Sequence, residues 1–362
     1  MMKRIILFAL CLVMAVSVCL AEGTPAASNR YKASMFNEIP EKTMKELFTE
    51  YMAPGYKVEY DSRRAWCPDL MMSGEASYPF YREIEDNDTI RACSEIAESL
   101  YRAVYPGCEP ELFSAMSYRD YCLRDLMETS NMELKDGQWY YLGTPITHGM
   151  EGALKAAGLL QASQREKAEQ TDPSRIILQY HPAPVGGLPV SVYIWPGERY
   201  CNNYGCVTTF VFDGNNRIIY ADMGGGFTVE PVKDTEITVS KEDAFRIARD
   251  RFAKEKTDKP TAYGYDWGAY VGESGVYDAL LKELGWSSVR AETVLEEDSG
   301  RLVMFMTSKW ELVPAWEFHE TMQVIADGQV IQDHFQGGMN YIYISAENGT
   351  PGLEYGITGD YD

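Results

Sequence analysis

Val207-Thr-Thr-Phe-Val-Phe-Asp-Gly-Asn-Asn-Arg-Ile-Ile-Tyr220 decides the fold class of this chain. Two β-branched and aromatic runs flank Asp213-Gly214-Asn215-Asn216, whose residue types favour the positive backbone angles of a hairpin loop. Upstream, Ile176–Tyr180 and Leu188–Trp195 repeat the same short β-rich texture between Gly, Pro and Asn, so residues 173–232 predict an antiparallel meander. Downstream, Thr238-Val-Ser240 leads into Lys-Glu-Asp243, a Ser-x-x-Asp capping box. The helix that follows places Ala244, Ile247, Ala248, Arg251 and Phe252 on one side. A further helix is expected over Val276–Leu284. Strands are then expected over 289–295, 302–306, 312–318, 323–326, 329–332 and 341–344, with Asp327-Gly328 as a turn between two of them. Helices laid on antiparallel sheets make the fold class α+β.

Residues 40–172 read as helix-rich. Pro40 opens a stretch from Glu41 to Met52 with Met44, Leu47, Phe48 and Tyr51 at spacings of three and four. Asp88 is the expected N-cap of a second helix, which ends at Pro106-Gly107, and a third is expected from Pro110 to about Met127. Asp136-Gly137 predicts a hairpin before a last helix, Met150 to Ala168. Domain boundaries are expected near 172 and 233, between a flexible lead over 22–39 and a frayed tail over 346–362.

Lys3-Arg4 followed by an uncharged run from Ile5 to Ala21 has the form of a secretory signal peptide, with cleavage expected after Ala21. Lipid anchoring is the alternative, but it needs a small residue before the acceptor cysteine, whereas Val18 precedes Cys19 and Leu10 precedes Cys11. The expected mature chain has 341 residues and a net charge of −23. It is expected outside the cytoplasm, secreted or associated with the cell surface. Such a charge repels nucleic acid and anionic membranes, and no later apolar stretch is long enough to span a bilayer.

Six cysteines then stay with the mature chain: Cys67, Cys93, Cys108, Cys122, Cys201 and Cys206. An even number in an oxidising compartment reads as disulfides. Cys201 and Cys206 flank a short polar loop and are the first expected pair, with the other four stapling the N-terminal region to itself. Their intervals lack the paired short spacings of a zinc module.

Between about Thr235 and Gln336 three features recur together: Ile237-Thr-Val-Ser-Lys-Glu-Asp-Ala244 opening a helix, Leu312-Val-Pro-Ala-Trp-Glu-Phe318, and Ile325-Ala-Asp-Gly-Gln-Val-Ile331. In these the segment resembles the PepSY-like domains of exported bacterial proteins, and the preceding meander looks like the companion region of secreted clostridial-type proteins. The stretch between helix and Trp316 strand is longer than the compact family unit. The resemblance, covering somewhat under a third of the chain, implies a non-catalytic α+β domain over 233–345. In some relatives such domains belong to peptidase propeptides and are suspected of restraining peptidases. It transfers no catalytic, cofactor or metal residue.

The residues offer no catalytic set of their own. The histidines are His148, His181, His319 and His334, and no Gly-x-Ser-x-Gly elbow is present. His319-Glu320 begins a zinc-peptidase pattern, but Gln323 stands where the second histidine belongs. Gly224-Gly-Gly226 lacks the helix start of an anion cradle and reads as a loop or bulge. Asp86-Asn-Asp88 and Glu296-Glu-Asp298 lack calcium-loop spacing and read as a helix cap and a solvated turn. The expectation is a non-catalytic binding or regulatory protein, engaging a protein or peptide partner outside the cytoplasm through an exposed sheet edge. The alternative is a secreted hydrolase using paired carboxylates on glycan or peptide.

Overall fold

The computed structural model describes residues 28–35, 46, 48–56, 59–61, 64–66, 84–130, 132–156, 162–191, 207–223, 226–258, 264–266, 279, 281–307 and 310–351. The fold is α+β. Three strands of the expected meander, β8 (Ile176–Pro182), β9 (Thr208–Phe212) and β10 (Ile218–Met223), join β2 (Glu59–Asp61), β3 (Arg64–Trp66) and β4 (Pro110–Ser117) from the preceding region in a six-stranded antiparallel sheet, in the order β2-β3-β10-β9-β8-β4. Asp213 closes the β9–β10 hairpin: its Oδ1 accepts from the amides of Asn215 and Arg217 at 2.8 and 2.9 Å, and Asn216 takes φ 58°. Helix α1 (Asp88–Val104) covers one face of this sheet, burying Ile90, Cys93, Ala97, Leu100, Tyr101 and Val104. Its N-cap is Asn87 rather than Asp88, with Asn87 Oδ1 accepting from Ile90 N at 2.9 Å.

The larger sheet contains β1 (Ser28–Met35), β11 (Phe227–Thr235), β12 (Gly264–Asp266), β13 (Val289–Leu295), β14 (Arg301–Met306), β15 (Glu311–Ala326) and β16 (Gln329–Ser345). The two strands expected over 312–318 and 323–326 are one continuous β15. Asp327 (φ 48°) and Gly328 (φ 80°) then turn the chain into β16, as two-residue hairpins with both central residues left-handed require. Helix α5 (Lys241–Asp258) starts at the expected capping box, where Ser240 Oγ accepts from Asp243 N at 3.1 Å. Its Ala244 and Ala248 pack on Phe318, Ile342 and Ile344.

A third, small sheet joins β5 (Met132–Lys135), β6 (Gln138–Tyr141) and β7 (Thr144–Pro145), with Asp136-Gly137 at its turn. Together with α2 (Tyr118–Ser130), α3 (His148–Ala156) and α4 (Ala162–Gln170), it shares a core with Leu281, Leu284, Val289, Val324 and Ala326.

Several expectations need correction. The lead over 22–39 contains β1, which lies between β11 and β15 with Tyr31 and Ala33 buried and Lys32 and Ser34 exposed; its three apolar residues, Tyr31, Ala33 and Met35, make too short an alternation to reveal a strand before its neighbours are known. Pro110–Ser117 is a strand, not the start of a helix. Phe113, Ser114, Ala115 and Met116 are all buried, and a strand covered on both faces loses the alternation that distinguishes it from a helix. The helix expected over 150–168 is divided between α3 and α4. Boundaries at 172 and 233 do not separate structural units, because β4 pairs with β8 across the first and β11 runs through the second. Of the tail, residues 346–351 fold back on the sheet, Pro351 bridging Ile344. Arg30 reaches this segment from β1, donating from Nε and Nη2 to the two carboxylate oxygens of Glu347 at 2.9 and 2.7 Å. Among the described residues no helix is long and apolar enough to cross a membrane.

Candidate functional site: a polar seam between the sheets

Strand alternation builds the site. In the register of the larger sheet Arg301 lies opposite Glu317, Glu317 opposite Tyr343, and His319 opposite Tyr341, so one face carries all five. The next residues on that face, Val303, Phe305, Val313 and Ala315, form an apolar floor with Tyr343. Ser191 arrives from outside the strand order: its amide donates to Met304 O at 2.8 Å and Met304 N donates to Pro189 O at 2.8 Å, extending the sheet past β14.

Glu317 is fully buried, and the groups around it use both of its oxygens. Oε1 accepts from Arg301 Nε at 2.5 Å and lies 3.3 Å from His319 Nε2; Oε2 accepts from Tyr343 OH at 2.9 Å and from Ser191 Oγ at 3.2 Å. Ser191 Oγ and Tyr343 OH are themselves 2.6 Å apart. Burial pushes the Glu317 carboxyl upward, but the hydrogen bond from His319 and the charge of Arg301 outweigh it and hold the group at about 2. Burial and the adjacent carboxylate raise the Tyr343 hydroxyl well above its ordinary range, so it stays a donor. For Arg301, burial opposes the charge, and the charge and hydrogen bond of Glu317 more than restore it.

The six-stranded sheet contributes the other side. A bulge between Leu112 and Ser114 in β4 turns Phe113 onto His181 of β8, ring centroids 3.9 Å apart. His181 is within electrostatic reach of Glu317, yet burial dominates and pulls its imidazole down to about 4, leaving it neutral at pH 7. Gln179, two residues earlier, shares its face of β8, with Ser114 opposite on β4 and Thr209 opposite on β9. Each sheet thus carries a group of buried polar side chains, linked by the electrostatic reach of Glu317 to His181.

Chemically, this arrangement locks and positions groups. A carboxylate held at about 2, with both oxygens engaged, is a weak base at neutral pH. Breaking such a buried pair from one side costs roughly 3–5 kcal/mol.

The other residues that the sequence singles out lie elsewhere. Cys93 faces the core from α1, and Cys108 donates its thiol hydrogen to Phe227 O at 2.7 Å; neither is in a disulfide. Cys122 lies on α2 beside Tyr118, so these three expected disulfide candidates form no staple with one another. Cys93 and Cys108 belong to the core under α1 while Cys122 packs elsewhere, because helix and strand packing, not sequence proximity, fixes where a side chain points. Cys67, Cys201 and Cys206 lie outside the described residues. His148 begins α3, exposed, and His319-Glu320 lies in β15, where alternate residues point to opposite faces. A Cβ on Gly226 would meet the Tyr105 ring at 2.3 Å, so close packing rather than anion binding explains that glycine. Asp86 and Asp88 both pair with Arg91. Among the described residues no group of His, Cys, Asp and Glu is arranged to hold a metal ion.

Arg301, Glu317, Tyr343 and Ser191 were not singled out as a set in the sequence. The available signal was charge inside apolar alternation: Arg301-x-Val303-x-Phe305 and Val313-x-Ala315-x-Glu317-x-His319 each place charged residues on a face that is otherwise buried. No protein-family model and no curated protein matches the chain. A solved structure of an uncharacterized protein from Eubacterium rectale is similar over 90% of this chain and 85% of its own, with 12% sequence identity and a TM-score of 0.35.

Proposed function

We propose that this chain is an extracytoplasmic binding or regulatory protein whose partner is a protein or peptide, an exported peptidase being the first candidate. The observation that carries the reading is the engagement of Glu317: this fully buried carboxylate is tied to Arg301, His319, Tyr343 and Ser191, which suits a rigid scaffold better than proton transfer. The order of capped helix, antiparallel strands and Asp327-Gly328 hairpin supports the PepSY-like reading of the C-terminal part.

Strand addition at β11 is disfavoured. That edge carries a bulge opposite Arg30 and Tyr31 together with Pro231 and Lys233, devices that discourage pairing with another chain. Contact through side chains on the sheet and helix surfaces is the better expectation.

A cross-linked pull-down tests the proposal. The mature protein from Glu22 is incubated with exported proteins and wall material of its source, and captured species are identified by mass spectrometry. Reproducible recovery of one exported peptidase or surface protein supports binding. Release of soluble wall or peptide products by the protein alone would replace it with the hydrolase reading.

A further inference from the structure

Among the described residues, six of the seven strands of the larger sheet follow one another between Phe227 and Ser345, and β1 alone comes from elsewhere. Phe48 and Met52, which follow β1 in the chain, pack in the core of the other sheet. β1 is therefore an inserted strand, held by pairing rather than by its neighbours in sequence. It pairs with β11 along all eight residues but with β15 only at Tyr31–Leu312 and Lys32–Glu311. Tyr31 and Ala33 are buried, while Lys32, Ser34 and Glu230, opposite Lys32, are exposed. Few buried side chains and an open outer face mark a segment that opens at low cost.

The slot that β1 fills is nevertheless selective. Gly186, at φ 61°, makes room for Tyr31, since a Cβ there would lie 2.8 Å from the tyrosine hydroxyl. Ala33 N donates to Trp310 O at 2.7 Å, and Trp310 is held at φ 59°, a left-handed conformation that a bulky residue adopts only under constraint. The flanks are acidic. Glu347 accepts from Arg30 Nε and Nη2, Glu311 lies 3.9 Å from the same guanidinium, and Lys32 stands opposite Glu230 on β11 and Glu311 on β15. β1 itself, Ser28-Asn-Arg-Tyr-Lys-Ala-Ser-Met35, carries two positive charges and no negative one in a chain of net charge −21.

We propose that the slot between β11 and β15 is a strand-acceptor site for an extended basic segment of a partner protein, aromatic at the position of Tyr31 and small at that of Ala33, and that β1 is the resident occupant which such a segment displaces. Backbone pairing supplies affinity, and the Gly186 recess and the three glutamates supply selectivity. The outer edge of β11 discourages pairing, whereas this inner edge is built for it. The proposal goes beyond contact through surface side chains, and either can fail without the other.

Its tether gives β1 an effective concentration that a free segment must overcome, so the test cuts the tether. A protease site placed between Phe36 and Asn37 of the mature chain is cleaved after folding, which leaves β1 in place but untethered. A fluorescent peptide of the β1 sequence is then titrated in and followed by anisotropy. The expected result is saturable uptake by the cut protein and none by the uncut parent. A peptide carrying Arg30→Glu and Lys32→Glu should bind about tenfold more weakly, from the loss of its ion pairs. A second arm uses the uncut chain with Tyr31→Ser, which loosens β1 and leaves the slot intact; the parent peptide should raise its Tm saturably. Three results would overturn the proposal: folded cut protein that takes up no peptide, equal binding of the charge-reversed peptide, or a Tyr31→Ser chain that dimerises and ignores the peptide, which would reserve the slot for a second copy.

Discussion

Replacing Arg301 by Met isolates the energetics of the seam. Arg301 Nε is 2.5 Å from Glu317 Oε1, and the carboxylate has no exposure through which water could take over. Methionine keeps much of the stem volume but leaves a buried charge facing an imidazole and two hydroxyls. One-sided loss of a buried pair costs roughly 3–5 kcal/mol. The pH axis reads all the contacts on the carboxylate together, the His319 hydrogen bond first and the Arg301 charge next. Glu317 sits at about 2 in the folded chain against an ordinary value of 4.5, a depression equivalent to stabilisation on the order of 3 kcal/mol. Because the folded value is the lower one, this contribution is complete above pH 4.5 and disappears as pH falls from 4.5 towards 2. Urea denaturation of Arg301→Met at pH 7 should show the full loss, and its stability should fall less steeply between pH 4.5 and 2 than the parent's. The double variant Arg301→Met, Glu317→Met should recover most of the loss, since an apolar pair of similar size avoids burying either charge. A single variant within about 1 kcal/mol of the parent, the range of exposed ion pairs, or a double variant no better than the single, would refute the argument.

Other measurements probe the rest of the molecule. His181, lowered to about 4 by burial, should cost stability as pH falls from 6.5 to 4, where the unfolded chain takes up a proton that the folded chain refuses; His181→Phe should flatten that part of the urea-midpoint profile. Gly226→Ala should destabilise by about 1–3 kcal/mol, because its methyl would sit 2.3 Å from the buried Tyr105 ring, and an unchanged urea midpoint would contradict the packing. Ser240→Ala should cost about 1 kcal/mol through loss of the α5 cap, readable in the same denaturation assay. The Cys93 thiol, pushed up to about 12 by burial and the charge of Asp213, should resist iodoacetamide at pH 8 until the protein unfolds; fast native labelling by mass spectrometry would show that α1 does not pack as described.

Much of the fold was legible where a local rule had a local cause. Asp136-Gly137 and Asp327-Gly328 turn hairpins because left-handed backbone positions select those residues wherever they fall, and Asp213 closes its hairpin by accepting from the amides of Asn215 and Arg217. The Ser240 box starts α5 for the same reason: its hydrogen bond spans three residues and needs nothing from the rest of the chain. β1 and β4 escaped detection for opposite reasons. β1 has too little apolar surface to signal a strand, and β4 is buried on both faces and has no alternation left to show.

The sequence by itself determined the α+β class, the hairpins and the capped helices, because turns and caps are fixed by interactions between near neighbours in the chain. Tertiary structure alone decided the seam. Ser191, Arg301, Glu317 and Tyr343 meet through side chains up to 152 residues apart, and His181, on the other sheet, comes within electrostatic reach of Glu317. Burial of Glu317 beside a guanidinium, an imidazole and two hydroxyls arises from strand register and sheet packing, long-range properties that no local spacing encodes.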